Sequence, residues 1–153
     1  MKAHDEWLNS VKKKYDEHLG QGGFQVLFPS YRPDMSKALA NHLGLKFYDY
    51  RQAQMESLAW EAAKMTLDYA TSALLEESAK SGLVVHNIES LLATKPEEER
   101  KKWLEDFLGI NWPHPVVLPI SVYQGDTLEE HQRVCDIELI PFAKESFIMR
   151  LAM

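Results

Sequence analysis

Apolar residues recur at helical spacing from the start of the chain. Trp7, Leu8, Val11, Tyr15 and Leu19 form one stripe, with Lys12, Lys13 and Lys14 on the solvated side. The spacing predicts a helix over residues 4–19, closed by Gly20, Gly22 and Gly23. Residues 24–28 (FQVLF) are a short β-favouring run bounded by Gly and Pro, read as a buried strand. Pro29 and Pro33 lack the amide donor a continuing strand needs. A second helix is expected from an Asp34 N-cap through His42, with Met35, Leu39 and Leu43 at its apolar positions. Gly44 stops it, and residues 46–50 (KFYDY) read as a second strand.

Residues 52–80 contain no Gly or Pro and are rich in Ala, Leu, Met and Glu. Their apolar positions spread widely around the wheel. This predicts a largely buried helix, or two helices broken between residues 66 and 72. Residues 83–88 (LVVHNI) are the best central-strand candidate, an unbroken run of β-formers. Thr94, Pro96 and Glu97 together read as a capped helix start. That helix is expected to run to about Leu108, with Glu97–Lys101 and Glu98–Lys102 pairs on its wet side. Residues 115–123 form a fourth strand, in which Pro119 hints at a bulge or an edge. A short helix over 127–132 and short strands over 134–139 and 147–151 complete the pattern.

Strands alternating with helices imply β-α-β units and a parallel sheet covered on both faces. The expectation is one three-layer α/β domain over residues 1–153, with an N-terminal helix in 1–20 and the sheet core in 24–153. Composition agrees with one domain of 153 residues, 45% hydrophobic and 26% charged. The net charge of −6 argues against a broad basic surface, so direct nucleic-acid binding is disfavoured. The single cysteine, Cys135, excludes an intrachain disulfide and points to a reducing compartment, the cytoplasm. No apolar run approaches the ~20 residues of a membrane helix, and residues 1–10 lack the apolar stretch of a signal peptide.

In parallel sheets ligands bind beyond the carboxyl ends of the strands. The order of elements matches a P-loop NTPase core, with the phosphate loop expected after the first strand. That loop needs G-x-x-x-x-G-K-[ST], whose amides converge on phosphate, whose Lys supplies charge and whose hydroxyl binds magnesium. This chain offers residues 29–37 (PSYRPDMSK). The slot contains Ser30, Arg32, Ser36 and Lys37 but no Gly, two prolines, a repelling Asp34, and Ser and Lys in reverse order. The third-strand slot offers His86 and Asn87, with Glu89 two residues further on, where hydrolysis needs a carboxylate on magnesium. The loop is degenerate, ATP binding is disfavoured and no cofactor is expected.

The segment Leu83-Val84-Val85-His86-Asn87-Ile88-Glu89-Ser90-Leu91-Leu92, a charged helix, and then Pro115-Val116-Val117-Leu118-Pro119 resemble a known group. It is the small P-loop-type proteins of bacteriophage-exclusion (BREX) defence clusters, of the BrxF type. Those proteins have a similar Asn-Ile-Glu segment after the apolar strand. They also carry a real phosphate loop, which this chain lacks. The resemblance covers residues 24–153 in outline and 83–92 in detail. It implies a bacterial accessory subunit whose partners are other proteins of a defence or DNA-processing assembly. No catalytic residue carries over.

Other constellations compete with this reading. Asp49, His86, Asn87, Glu89 and Ser121 would gather at the strand ends and could serve a small nucleotide- or metal-dependent hydrolase. Asp49, Glu89 and Asp126 with Lys37 faintly suggest a metal-dependent nuclease, without the tight carboxylate-x-Lys pattern. His131 and Cys135 stand four apart, with His114 the nearest third ligand, so no metal site is expected. Ser30 and Ser121 lack a G-x-S-x-G turn. Trp7, Trp60 and Trp103 fall at core-facing helical positions. Trp112, between Asn111 and Pro113, is the candidate partner contact, against packing over the preceding helix.

Overall fold

The computed structural model describes residues 6–29, 31–121 and 133–137. Five strands form one all-parallel sheet: β1 (Phe24–Phe28), β2 (Lys46–Asp49), β3 (Leu83–His86), β4 (Val116–Ser121) and β5 (Val134–Asp136). Their order is β2-β3-β4-β1-β5. Side-chain alternation sorts the two faces. Phe24, Val26, Phe28, Val84 and Val117 pack with α1 (Glu6–Glu17) and α2 (Pro33–Leu43). Leu27, Leu83, Val85, Val116, Leu118 and Ile120 pack with α3 (Leu67–Ser78), α4 (Glu89–Leu92) and α5 (Glu97–Gly109). The architecture is a parallel α/β sheet with helices on both faces. One polar side chain crosses this apolar packing. Gln25 is fully buried and its Nε2 donates to the Leu104 carbonyl at 2.8 Å.

Several local expectations change. Pro119 lies in a central strand, neither at a bulge nor at an edge. The ladder with β3 covers only Leu83–Val116 and Val84–Val117, whereas the ladder with β1 runs on to Ser121. Pairing with β3 has ended before the residue that cannot donate. Asp34 does not cap α2. The N-cap is Arg32, and Pro33 takes the first helical position, where its missing amide costs nothing. The helix closes as expected on Gly44 at φ 70°. Thr94 does not cap α5 either. Its hydroxyl donates to the Leu91 carbonyl, and Pro96 holds the N-cap position. Glu97 pairs with Lys101, but Lys102 turns to Asp106 at 2.8 Å instead of to Glu98.

The largest difference lies in residues 52–80. Thr66 caps α3 by accepting the Tyr69 amide at 3.0 Å, so a break occurs at the first of the predicted positions. What precedes it is not a regular helix. Arg51–Met55 is a π turn, and Glu56–Lys64 is a 3-10 stretch interrupted at Ala59, whose φ is 50° and ψ −130°. Trp60 in this stretch is 75% exposed, contrary to its expected core-facing position. The expected helix over 127–132 and strand over 147–151 lie outside the described residues, as does residue 30.

Candidate functional site

The carboxyl ends of the strands bring two strand-to-helix crossings together. The first, after β1, spans residues 29–32, four residues before α2 begins. Arg32 forms a bidentate pair with Asp34, Nε to Oδ1 at 3.0 Å and Nη2 to Oδ2 at 2.8 Å. The pair holds the Asp34 carboxyl below the ordinary carboxylate range, first through that hydrogen bond. A helix N-terminus binds an anion through its free amides and dipole. Here Pro33 brings no amide, and the Met35 and Ser36 amides donate to the Arg32 carbonyl at 3.1 and 3.2 Å. In sequence, residues 29–37 depart from the phosphate-loop pattern, with no glycine, two prolines and a negative Asp34.

The second crossing, after β3, is built on buried and half-buried groups. His86 is 4% exposed and lies opposite Asp49 in the β2–β3 register. Its Nε2 is 3.0 Å from the Tyr31 hydroxyl and its Nδ1 is 3.3 Å from the Ser36 hydroxyl. Burial pushes its pKa below the ordinary 6.5, Asp49 opposes that shift and Lys37 adds to it. The neutral ring has one N–H and one bare nitrogen, so one hydroxyl accepts from it and the other donates to it. The ring is also sandwiched. Tyr31 lies against one side with centroids 5.1 Å apart, and Phe47 stacks at 5.3 Å. The Lys37 ammonium sits 5.5 Å from the centroid of the Phe47 ring.

Asn87 follows at φ 64°, a left-handed conformation that Asn tolerates. Its Oδ1 accepts from the Ser90 hydroxyl at 2.8 Å. Glu89, at the start of α4, reaches across to β4, and its Oε2 accepts the Ser121 amide at 2.9 Å. Burial raises the Glu89 pKa, while the Ser121 amide and hydroxyl pull it down. Asp49 Oδ1 accepts the Gln52 amide at 3.0 Å. Burial, then Asp49 and then Glu89 raise the Tyr31 phenol, so both crossings share one electrostatic neighbourhood.

Thus Ser36 and Lys37 meet His86 and its stack, and Glu89 meets Ser121. Arg32 is turned to Asp34. Ser30 and Asp126 lie outside the described residues. Tyr31 and Phe47, which build the histidine sandwich, were not singled out by pattern. Their signal was faint, an aromatic in the loop after the first strand and another in a strand of alternating polarity. Trp112 is not a surface anchor. It is 7% exposed, its ring lies 5.3 Å from Phe107, and its Nε1 donates to the Phe107 carbonyl at 3.2 Å. Packing over α5 is the reading the geometry supports. Cys135 is buried in β5, and burial pushes its thiol pKa up. Among the described residues no group of three or more His, Cys, Asp or Glu could hold a metal ion. No helix among them is long and apolar enough to cross a membrane. A scan against protein-family models finds no match to this chain, and no curated protein matches it.

Proposed function

We propose that this chain is a non-catalytic accessory domain with a P-loop-like layout, acting through other protein subunits of a bacterial phage-defence or DNA-processing assembly. The strand order supports the layout. It sets β4 between β1 and β3 and brings the loop after β1 against the end of β3, where Ser36 meets His86. One observation carries the proposed loss of nucleotide chemistry. The segment after β1 has no glycine, and the Arg32 fork holds the negative Asp34 carboxylate at the start of α2, which disfavours a phosphate there. The defence context rests on the resemblance of residues 83–92. Thermal melting with and without ATP and magnesium tests the reading. The expected result is an unchanged Tm and no phosphate release. A concentration-dependent rise accompanied by turnover would overturn it.

A second reading is favoured by two titratable groups beyond β3, the buried His86 and the half-buried Glu89, which bonds the last residue of β4. Perturbed carboxyl and imidazole groups at a sheet's carboxyl edge are candidates for acid–base work. In that reading the chain is a small hydrolase using His86 and Glu89. Release of p-nitrophenol from phosphate and carboxylate esters, lost in both His86→Ala and Glu89→Gln, would move the assignment to it.

A further inference from the structure

The segment between β2 and α3 contradicts its own sequence. Residues 52–64 contain no Gly or Pro and are mostly good helix formers. As a regular helix they would align Met55, Leu58, Ala59 and Ala62 at i, i+3, i+4 and i+7 on one apolar stripe. The structure instead holds a π turn followed by two short 3-10 turns, separated by a kink at Ala59. Ala59 sits at φ 50°, ψ −130°, a conformation that favours glycine. Met55 and Ala62 are buried, but Leu58 is 42% exposed and Ala59 is also outside.

Polar clips hold this state. Asp49 accepts the Gln52 amide, Gln54 Nε2 donates to the Tyr48 hydroxyl at 2.9 Å, and the Tyr69 hydroxyl donates to Gln54 Oε1 at 3.3 Å. The Tyr50 hydroxyl donates to Met65 Sδ at 3.0 Å. Three of these four clips begin on β2 or the residue after it, and Asp49 belongs to the carboxyl-edge cluster. Good local helix propensity set against tertiary clips describes an element with two competing packings.

We infer that residues 51–64 form a two-state element. One state is the clipped π and 3-10 conformation. The other is a regular amphipathic helix that turns Leu58 and Ala59 inward. The Gln54 bridge between β2 and α3 sets the balance. Trp60 lies on the opposite side of such a helix from Met55 and Ala62, so it stays exposed in both states and marks the solvent face. The inference goes beyond the nucleotide question and does not depend on its answer.

The 13Cα secondary shifts of residues 52–64 test it. In the wild type Ala59 should fall on the non-helical side. In Gln54→Ala, residues 56–62 should move to helical values. Adding Ala59→Gly should reverse that move, because Gly fits the positive φ and weakens the helix. Helical shifts at Ala59 in the wild type, or no movement in Gln54→Ala, would overturn the inference. Ala59→Gly alone gives an answer even if the Gln54 variant fails to fold. A rise in Tm of about 3 °C is expected if Ala59 is strained, and a fall would mean that the helix is already the resting state.

Discussion

Two crossings meet at the carboxyl edge of the sheet, and they handle charge in opposite ways. After β1 the charges are exposed and neutralise each other, with Arg32 forked onto Asp34. After β3 His86 is buried and Glu89 half-buried, and both are held by neighbours from other elements. His86 is held by Tyr31, Ser36 and Phe47, and Glu89 by Ser121. The comparison separates position from chemistry. Both crossings sit where a parallel sheet binds ligands. Only the second holds an imidazole and a carboxyl whose pKa values are shifted chiefly by burial. The first sets an exposed Arg32–Asp34 pair at the start of α2.

The contrast predicts graded effects. The largest belongs to His86→Ala. It removes a ring packed between two aromatics and leaves the buried Ser36 hydroxyl unpaired. The expected cost is about 2–4 kcal/mol, read as a lower urea midpoint with an unchanged slope. A cost close to zero would mean that the sandwich contributes nothing. Next comes Glu89→Ala, which strips the acceptor from the Ser121 amide. A loss of about 1–3 kcal/mol is expected. Glu89→Gln keeps an acceptor without the buried charge and should cost clearly less at neutral pH.

Smaller effects follow from pH. The folded Glu89 pKa lies above the ordinary 4.5, so the native chain holds that proton more tightly than the unfolded one. Its contribution is full below pH 4.5 and is lost as pH rises through the raised value. The folded His86 pKa lies below 6.5, so its contribution is full above 6.5 and is lost as pH falls through the lowered value. Stability profiles of Glu89→Gln and His86→Gln, each taken relative to wild type, should therefore slope in opposite directions. The first should gain as pH rises, the second as pH falls. Parallel profiles would show that the two groups do not titrate as their burial requires. The smallest effect is expected for Arg32→Ala, because the pair is solvent-exposed. Its Tm should match wild type within error, and a large drop would place the β1 crossing in the structural core.

The central strands were legible because fully buried parallel strands read as short apolar runs, as residues 24–28, 83–86 and 116–120 do. Helix α2 was legible from periodicity and from Gly44, although its N-cap was not. Asp34 is the residue type that caps, but Pro33 preorganises the helix one position earlier. The segment before α3 was illegible for a different reason. Its residues favour helix locally, while Tyr48, Tyr50 and Tyr69 impose tertiary bonds that no periodic pattern encodes. The exchange of roles between Trp60 and Trp112 follows from the same limit. Residue 60 falls in an irregular stretch with its ring outward, and residue 112 folds back onto Phe107. At the site, His86, Glu89 and Ser121 could be listed from strand ends alone. Their partners Tyr31 and Phe47 became visible only when the crossings were brought together in space.

Calorimetric titration of ATP with magnesium into the intact chain, with phosphate release followed in the same sample, tests the central claim most directly. The proposal is that the crossing after β1, with no glycine and with Asp34 at the start of α2, does not bind a nucleoside triphosphate. The account predicts no saturable heat and no phosphate release, in the wild type and in His86→Ala alike. Saturable binding that weakens in Lys37→Ala, with phosphate released on turnover, would contradict it.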